Sequence, residues 1–303
     1  MRKLLASLGL VVFVLSGCAN APSNKTAAPS GDSLAVLLDA MQKTNDAGSA
    51  RMAIDLTFTS PQQTVHVTGD VEYVMDPSDP TSLRERVVLD IPSLGMMPGG
   101  KVEMIIGKGP MIYVRAPMFA SFIPATTPWI KVDPSALPGS GDGLGAATAA
   151  ANPAAILAAI KDALTVEEVG ADTVGDSAAT HYRATVDMVK LLPLLADMAS
   201  TDNKPTAAEM QDAKDQLKKV GLETLPIELW VNEDGFLDQM QLAPDLSKVD
   251  PEHPGTSFSL TLTLSDIGAD ISIDVPPASQ VTDISDLLGS AISPVTSSTS
   301  PLT

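Results

Sequence analysis

Cysteine is almost absent from this chain, since Cys18 is the only one among 303 residues. A single cysteine excludes a disulfide within the chain, so the fold has to depend on its hydrophobic core. Aromatic residues are also scarce, at 4 %, whereas 13 methionines are present. This balance indicates an adaptable interior built from aliphatic and thioether side chains. After the first 17 residues no apolar run reaches about 18 residues, so no second segment is predicted to span a membrane.

Basic residues are few as well. The chain has 19 lysines and arginines against 37 acidic residues, which gives a formal net charge of -18. Nucleic acids and anionic lipid headgroups are bound through basic clusters, so this composition argues against both as partners. Contact with a membrane therefore has to come from an anchor and not from electrostatic attraction.

The amino terminus has the three parts of an export signal. Arg2 and Lys3 precede an apolar stretch over residues 4–15, and small residues follow. The sequence Leu15-Ser16-Gly17-Cys18 resembles a bacterial lipobox. That resemblance implies cleavage before Cys18 and acylation (palmitate) of its thiol, with residues 1–17 as signal peptide and 18–31 as a flexible tether. The alternative is an ordinary signal peptide that contains a cysteine.

The first half of the body has the patterns of one helix and several strands. Leu34, Leu37, Leu38 and Met41 recur at helical spacing before Gly48. From residue 49 the period changes to two, which is typical of half-buried antiparallel strands. Alternation or hairpin spacing predicts strands at 49–58, 65–75, 87–91, 102–106, 111–115 and 129–132.

The second half mixes helices with further strands. Helices are predicted at 153–164, 188–199 and 206–220, after a glycine-rich stretch at 138–145. Strands are predicted at 181–187, 227–231, 236–242, 258–264 and 271–275. About eleven antiparallel strands make a large sheet that has to curl, split or close. The expectation is an α+β fold in one domain over residues 32–288, with a curved sheet whose apolar face is covered by helices and a disordered tail at 289–303.

Motifs for catalysis and for metal or cofactor binding are missing from the sequence. His66, His181 and His253 lie far apart and none has a partner at metal-site spacing, so a structural or solvated role is expected. Neither a Gly-x-Ser-x-Gly nucleophile elbow nor a Walker-type phosphate loop occurs. We therefore expect a protein that is not an enzyme and that has no cofactor and no metal.

A proline-broken apolar loop is the strongest candidate for ligand binding. Together with methionines of the neighbouring turns and strands, it could form the rim of an apolar opening, because methionine adapts to ligands of variable shape. Alternatively, the same side chains simply plug one end of the sheet. The candidate ligand-binding residues are Met96, Met97, Met104, Met111, Met118, Phe119, Phe122 and Ile123.

Several short segments, taken in order, resemble the actinobacterial LppX/LprA/LprG lipoprotein family. They are the lipobox, Tyr113-Val114-Arg115, Trp129-Ile130-Lys131-Val132, His181-Tyr182 and Leu225-Pro226-Ile227-Glu228-Leu229-Trp230-Val231. The resemblance implies a half-barrel antiparallel sheet with helices on its concave side, related to the LolA-type lipoprotein carriers. It further implies an apolar cavity for the acyl chains of envelope lipids, and an anchored position on the extracytoplasmic face of the cell membrane.

Three hypotheses for function follow. The first is a lipoprotein that binds acylated lipids or glycolipids and carries them in the cell envelope, with an envelope lipid exporter as a partner. The second is a cell-surface interaction module that docks an envelope protein without lipid cargo. The third is an envelope hydrolase, which is disfavoured because no nucleophile or acid pair can be nominated from the sequence.

Overall fold

The computed structural model describes residues 33–92, 99–107, 111–119, 123–124, 126–132, 161–198, 205–246 and 255–283. Twelve strands in these ranges form one open, curved sheet in the order β12-β6-β5-β4-β3-β2-β1-β11-β10-β9-β8-β7. Only the β12–β6 pair among these strands is parallel. The strands are β1 (Ser49–Thr59), β2 (Thr64–Asp76), β3 (Asp79–Ile91), β4 (Gly100–Ile106), β5 (Ile112–Arg115), β6 (Trp129–Val132), β7 (Leu164–Val174), β8 (Ser177–Asp187), β9 (Thr224–Asn232), β10 (Leu237–Leu242), β11 (Ser257–Ser265) and β12 (Val281–Asp283).

Three α-helices lie wholly within the described ranges: α1 (Ser33–Asp46), α2 (Met188–Met198) and α3 (Ala207–Val220). Helix α3 begins with a capping box in which Thr206 and Glu209 satisfy each other's backbone N–H groups. Gly48 follows α1 with a φ of +74°, a left-handed conformation that glycine adopts without strain. None of these helices is long and apolar enough to cross a membrane.

The two faces of the sheet differ because side chains alternate along each strand. We call the side that carries Met52, Ile54, Leu56 and Phe58 of β1 the front face, and the opposite side the back face. On the front face the helices pack over β7 to β11, where Leu37 of α1 contributes to the main hydrophobic core. The buried sheet residues of this core are Tyr182, Ala184, Val186, Leu225, Ile227, Leu229, Val231, Met240, Leu242, Leu260 and Leu262.

A second, smaller core lies on the back face. Ile271 and Ile273, in an extended segment after β11, pack there against Ile105 of β4 and Trp129 of β6. We call residues 268–277 the strap, because they cross the back of the sheet before β12 joins its edge beside β6. The sheet is therefore packed on opposite faces in its two halves.

The fold class predicted from the sequence is confirmed: the sheet is large, almost wholly antiparallel, and covered by helices on an apolar face. Two local predictions were wrong. Residues 271–275 are extended but lie outside any strand, because they pack flat on the back face. The chain is helical at 161–163, but Leu164 already begins β7, a strand that was not predicted. The predicted glycine-rich stretch, the start of the 153–164 helix, the tether and the tail lie outside the described residues.

Candidate functional site

The front face forms a continuous apolar surface from β1 toward both edges of the sheet. Met52 pairs with Val71 of β2 on one side and with Leu264 of β11 on the other. The same row continues through Val87 and Met104 toward Val114 of β5. The alternation predicted from the sequence thus comes into register across neighbouring strands, and one surface results.

The two halves of this surface differ in how well they are covered. Over β8 to β11 the core residues named above are buried. Over β2 to β6 only Val71, Val87 and Ile130 are buried among the apolar front-face residues. The remaining apolar side chains of that half are partly exposed: Val65, Val67, Tyr73, Leu89, Ile91, Val102, Met104, Ile106, Ile112, Val114 and Val132. Such a surface can shield an apolar ligand.

Gly69 shows how closely the strands of this half approach each other. A Cβ atom at this position would lie 2.5 Å from Cδ2 of Leu89 and 2.6 Å from the Val88 carbonyl oxygen. Leu89, which pairs with Gly69, therefore occupies the front-face space that a side chain would fill.

The predicted ligand-binding residues are spread along this half. Met104 lies in the middle of the front face, between Val87 and Val114. Met111 directly precedes β5, a strand about 13 Å long, whereas Phe119 ends a 3-10 turn (Pro117–Phe119) beyond the other end of that strand. Ile123 joins Phe119 through its N–H, which donates to the Phe119 carbonyl oxygen at 3.2 Å. Met96, Met97, Phe122 and the Met118 side chain lie outside the described part.

Sequence reasoning missed a buried acid on this apolar surface. Glu85 of β3 pairs with Tyr73 of β2 and with Ile106 of β4, and its side chain lies on the front face with only 7 % exposure. Burial raises the pKa of its carboxyl and also that of the Tyr73 hydroxyl. The available signal was the alternation Glu85, Val87, Leu89, which places a carboxylate where the pattern calls for an apolar side chain.

Asp238 of β10 is a second buried acid near α1. Burial raises the pKa of this carboxyl, against the opposing effect of a hydrogen bond that Asn232 donates at 3.4 Å. Beside it the Leu237 N–H donates to the Thr44 hydroxyl of α1 at 2.9 Å. Asp238 thus has a partner on β9, while the neighbouring Leu237 N–H joins α1 to the sheet.

Outside the core under the strap, the back face carries a row of ion pairs between charged side chains. Arg51 binds Asp266 at 2.6 Å and Glu72 at 3.0 Å, and Arg86 binds Glu72 at 3.7 Å and Glu103 at 2.8 Å. Arg115 completes this row by pairing with Glu103. The contacts with Glu72 and Glu103 join neighbouring strands and support their register, and Arg51 also reaches Asp266 in the bend after β11.

Both histidines of the described part contact a carboxylate on the neighbouring strand. His66 contacts Asp55 at 3.1 Å on the surface. His181 contacts Glu228 at 2.7 Å and stacks on the Trp230 ring with centroids 4.4 Å apart. Trp230 in turn donates to Asp172 at 2.8 Å, and this hydrogen bond lowers the pKa of the Asp172 carboxyl. His253 lies outside the described residues.

A shallow cleft of about 380 Å³ also opens on the back face, between β11 and β4. Asp55, Asp70, Asp90 and Lys101 contribute polar groups to its lining. Within the described residues, three or more histidine, cysteine, aspartate or glutamate side chains are nowhere grouped to hold a metal ion. The back face therefore offers a polar groove, whereas the apolar surface lies on the front.

Solved structures that are similar to this chain include two mycobacterial proteins. Crystal structures of LprF from Mycobacterium bovis (15 % identity, TM-score 0.42) and of the Mycobacterium tuberculosis lipoprotein LppX (13 %, 0.41) are similar to it. The matches cover 83 % and 79 % of this chain, and 100 % and 98 % of those chains. The chain resembles LppX-type lipoproteins.

At the sequence level the similarity to known proteins is partial. A 31.2 kDa Streptomyces griseus protein from the rplA-rplJ intergenic region is 27 % identical over 124 residues, or 41 % of this chain. The match spans about a third of the length of that relative, 36 %. No family model matches the chain.

Proposed function

We propose that this protein is a membrane-anchored lipoprotein that binds acylated lipids or glycolipids on its front face and carries them in the cell envelope. The partly exposed apolar surface over β2 to β6 is the observation that supports this most. Each methylene group removed from water contributes about 0.8 kcal/mol. One acyl chain laid on this surface therefore has a large apolar driving force without any charged contact.

The methionine on this surface suits a flexible cargo. Met104 has rotatable bonds and a polarizable sulfur, so it can adapt to chains of different length and branching. In our proposal Cys18 supplies the membrane anchor, and the body works on the extracytoplasmic face without catalysing a reaction. An envelope exporter would load or receive the lipid.

The test uses a bulky side chain on the front face. The exported protein, extracted from membranes in detergent, is analysed by native mass spectrometry, and its copurifying lipids are extracted. We expect a mass excess that extracts as one class of acylated lipid. Met104→Trp should lower lipid occupancy about tenfold or more, because the indole occupies the space of an acyl chain and one order of magnitude corresponds to about 1.4 kcal/mol.

Val88→Trp is the matched control, since Val88 lines the cleft on the back face of the neighbouring strand. This variant should keep the lipid occupancy of the natural protein. A bare mass for the natural protein, together with refusal of added lipids, would contradict the proposal and favour the interaction module. A Met104→Trp variant that carries lipid as before would place the cargo elsewhere.

A further inference from the structure

One carboxyl group interrupts the apolar half of the front face. Glu85 of β3 lies between Tyr73 of β2 and Ile106 of β4, and Val87 is the next front-face residue on its own strand. Glu85 is 7 % exposed, whereas Tyr73 and Ile106 are partly exposed. An acyl chain that covers these two neighbours therefore covers Glu85 as well.

The surroundings of Glu85 on this face are apolar. Among the described front-face positions of β1 to β6, Tyr73 is the only other titratable group. The 3-10 turn Pro117–Phe119, which packs on β4, carries no charge. Helix α1 packs over β7 and β10, where its Lys43 donates to the Asp234 carbonyl oxygen and its Asp46 accepts from Gln42 of the same helix.

The two titratable groups differ in the pH range in which they change charge. Burial raises the pKa of the Glu85 carboxyl, and no charge or hydrogen bond of the described residues lowers it again. Burial also raises the pKa of the Tyr73 hydroxyl, which is ordinarily about 10, so Tyr73 stays neutral up to mildly alkaline pH. Glu85 is therefore the front-face group of β1 to β6 whose charge changes between acidic and mildly alkaline pH.

A bound acyl chain changes the solvation of this carboxyl group. In the lipid-free protein, water reaches the partly exposed side chains around Glu85 and the small exposed part of Glu85 itself. An acyl chain over these side chains excludes that water. The ionised carboxylate loses more solvation free energy than the neutral carboxylic acid, so the protonated protein binds the lipid better.

Building on the proposed function, we propose that Glu85 makes lipid binding on the front face depend on pH, so that the protein binds its lipid most tightly at acidic pH and releases it as the pH rises. The sign follows from linkage, since a group that is neutral in the bound state takes up a proton on binding. The lipid raises the pKa of Glu85 above its value in the lipid-free protein, and the affinity falls as the pH passes through these two values. A front face without this acid would bind an uncharged lipid equally well across the same range.

The experiment measures the affinity for an uncharged lipid as a function of pH. Dipalmitoylglycerol has no titratable group, so any pH dependence arises in the protein. Radiolabelled lipid is titrated into the delipidated, exported full-length protein in nonionic detergent, and bound lipid is separated by gel filtration. We expect the dissociation constant to rise about three- to tenfold between about pH 5.5 and about pH 8.5.

Glu85→Gln tests the assignment to this residue. The amide has nearly the same shape and cannot ionise, so this variant should bind at the alkaline end about as tightly as the natural protein binds at the acidic end. Asp90→Asn is the matched control, because it removes an exposed carboxylate from the cleft on the back face of the same strand. This control should keep the pH dependence of the natural protein.

Proton uptake provides a second measurement on the natural protein. Titration calorimetry in buffers with different ionisation enthalpies counts the protons that accompany binding. We expect uptake in the pH range where the affinity changes, and none in Glu85→Gln. The measurement on the natural protein needs no variant, so a folding defect cannot hide the answer.

The remaining outcomes overturn the inference in distinguishable ways. Lipid binding of constant affinity, or tighter binding at alkaline pH, would remove the pH coupling and leave the proposed lipid carrier intact. An unchanged pH dependence in Glu85→Gln would remove this residue as its cause. If the natural protein binds no lipid at any pH and carries none from its host, the proposed function itself fails together with the inference.

Discussion

Two buried glutamates make opposite contributions to stability at the scale of single residues. Glu103 accepts hydrogen bonds from Arg86 and Arg115, and these contacts offset the loss of water around its charge. Glu85 has the same exposure but lies on an apolar face with no such contact in the described structure. The free protein therefore gains from one of these charges and loses from the other.

We predict that Glu85→Gln raises the free energy of unfolding of the lipid-free protein by about 1–2 kcal/mol at neutral pH, because it removes an unpaired buried charge. Glu103→Gln should lower it by about 1–3 kcal/mol, since two arginines lose their charged partner. Urea unfolding followed by circular dichroism measures both values. A loss of stability in both variants would show that Glu85 has a stabilising partner.

The pH dependence of stability adds a second readout to this prediction. The Glu85 pKa is raised in the folded state by burial, so its contribution to stability is complete below the ordinary glutamate pKa of about 4.3 and is lost as the pH rises through the folded-state value. The difference in the free energy of unfolding between Glu85→Gln and the natural protein should therefore be small at acidic pH and grow as the pH rises. A difference that stays the same across the pH range would contradict the assignment of this pH dependence to Glu85.

The site could be predicted from the sequence only in its apolar part. The alternation of Val87, Leu89 and Ile91 predicts their common face, and Met104 follows from the next strand. The strand predicted from the sequence begins at Val87, so Glu85, two residues earlier in the same alternation, falls outside it. Nor does the sequence show that Thr44 of α1 meets Leu237 of β10, because this depends on packing between distant segments.

The strap is a feature at the scale of an element, and it holds the back of the sheet together. Ile271 and Ile273 are 7 % and 3 % exposed, although the segment makes no strand pairing. The strap passes close to Gly107 after β4, since a Cβ atom at that position would lie 2.9 Å from Cγ1 of Val275. Side-chain packing therefore attaches the strap where hydrogen bonds of a ladder are missing.

We predict that Ile273→Ala lowers the free energy of unfolding by about 2–4 kcal/mol, because it leaves a cavity in the back-face core. Val275→Ala, two residues along the same strap, should change it by about 0.5 kcal/mol or less, since Val275 is 47 % exposed. Thermal and urea unfolding of the two variants provide the comparison. Equal losses in both would mean that the strap contributes through its backbone alone.

The strap also shows why alternation alone does not predict a strand. Residues 258–264 and 271–275 show the same alternation, but only the first belongs to a strand of the sheet, because alternation reports one buried face and not a hydrogen-bonded neighbour. Strand β7 was missed for the opposite reason. Its register shifts between Glu168 and Gly170, which breaks the two-residue period in an exposed edge strand.

At the scale of the whole molecule, the negative net charge disfavours contact between the body and anionic membranes. The chain carries a formal charge of -18, so anionic headgroups repel it. Front-face rows that bind acyl chains can work as a carrier only if the body is held near a bilayer by another means. The acyl anchor predicted at Cys18 meets this requirement without reducing the acidity of the body.

We therefore predict that membrane attachment depends on Cys18 and not on charge. The natural protein should stay in the membrane fraction during a wash with 1 M salt, which screens electrostatic contacts beyond about 3 Å. It should incorporate an alkyne-tagged palmitate, and the tag should be lost completely in Cys18→Ala, because the chain has no other thiol. Asn20→Ala, two residues away, should retain it. Release by salt, or tagging of Cys18→Ala, would contradict the prediction, because attachment would then not depend on Cys18 alone. The body would have to reach the membrane through another surface, and the front face would have to serve attachment as well as lipid binding.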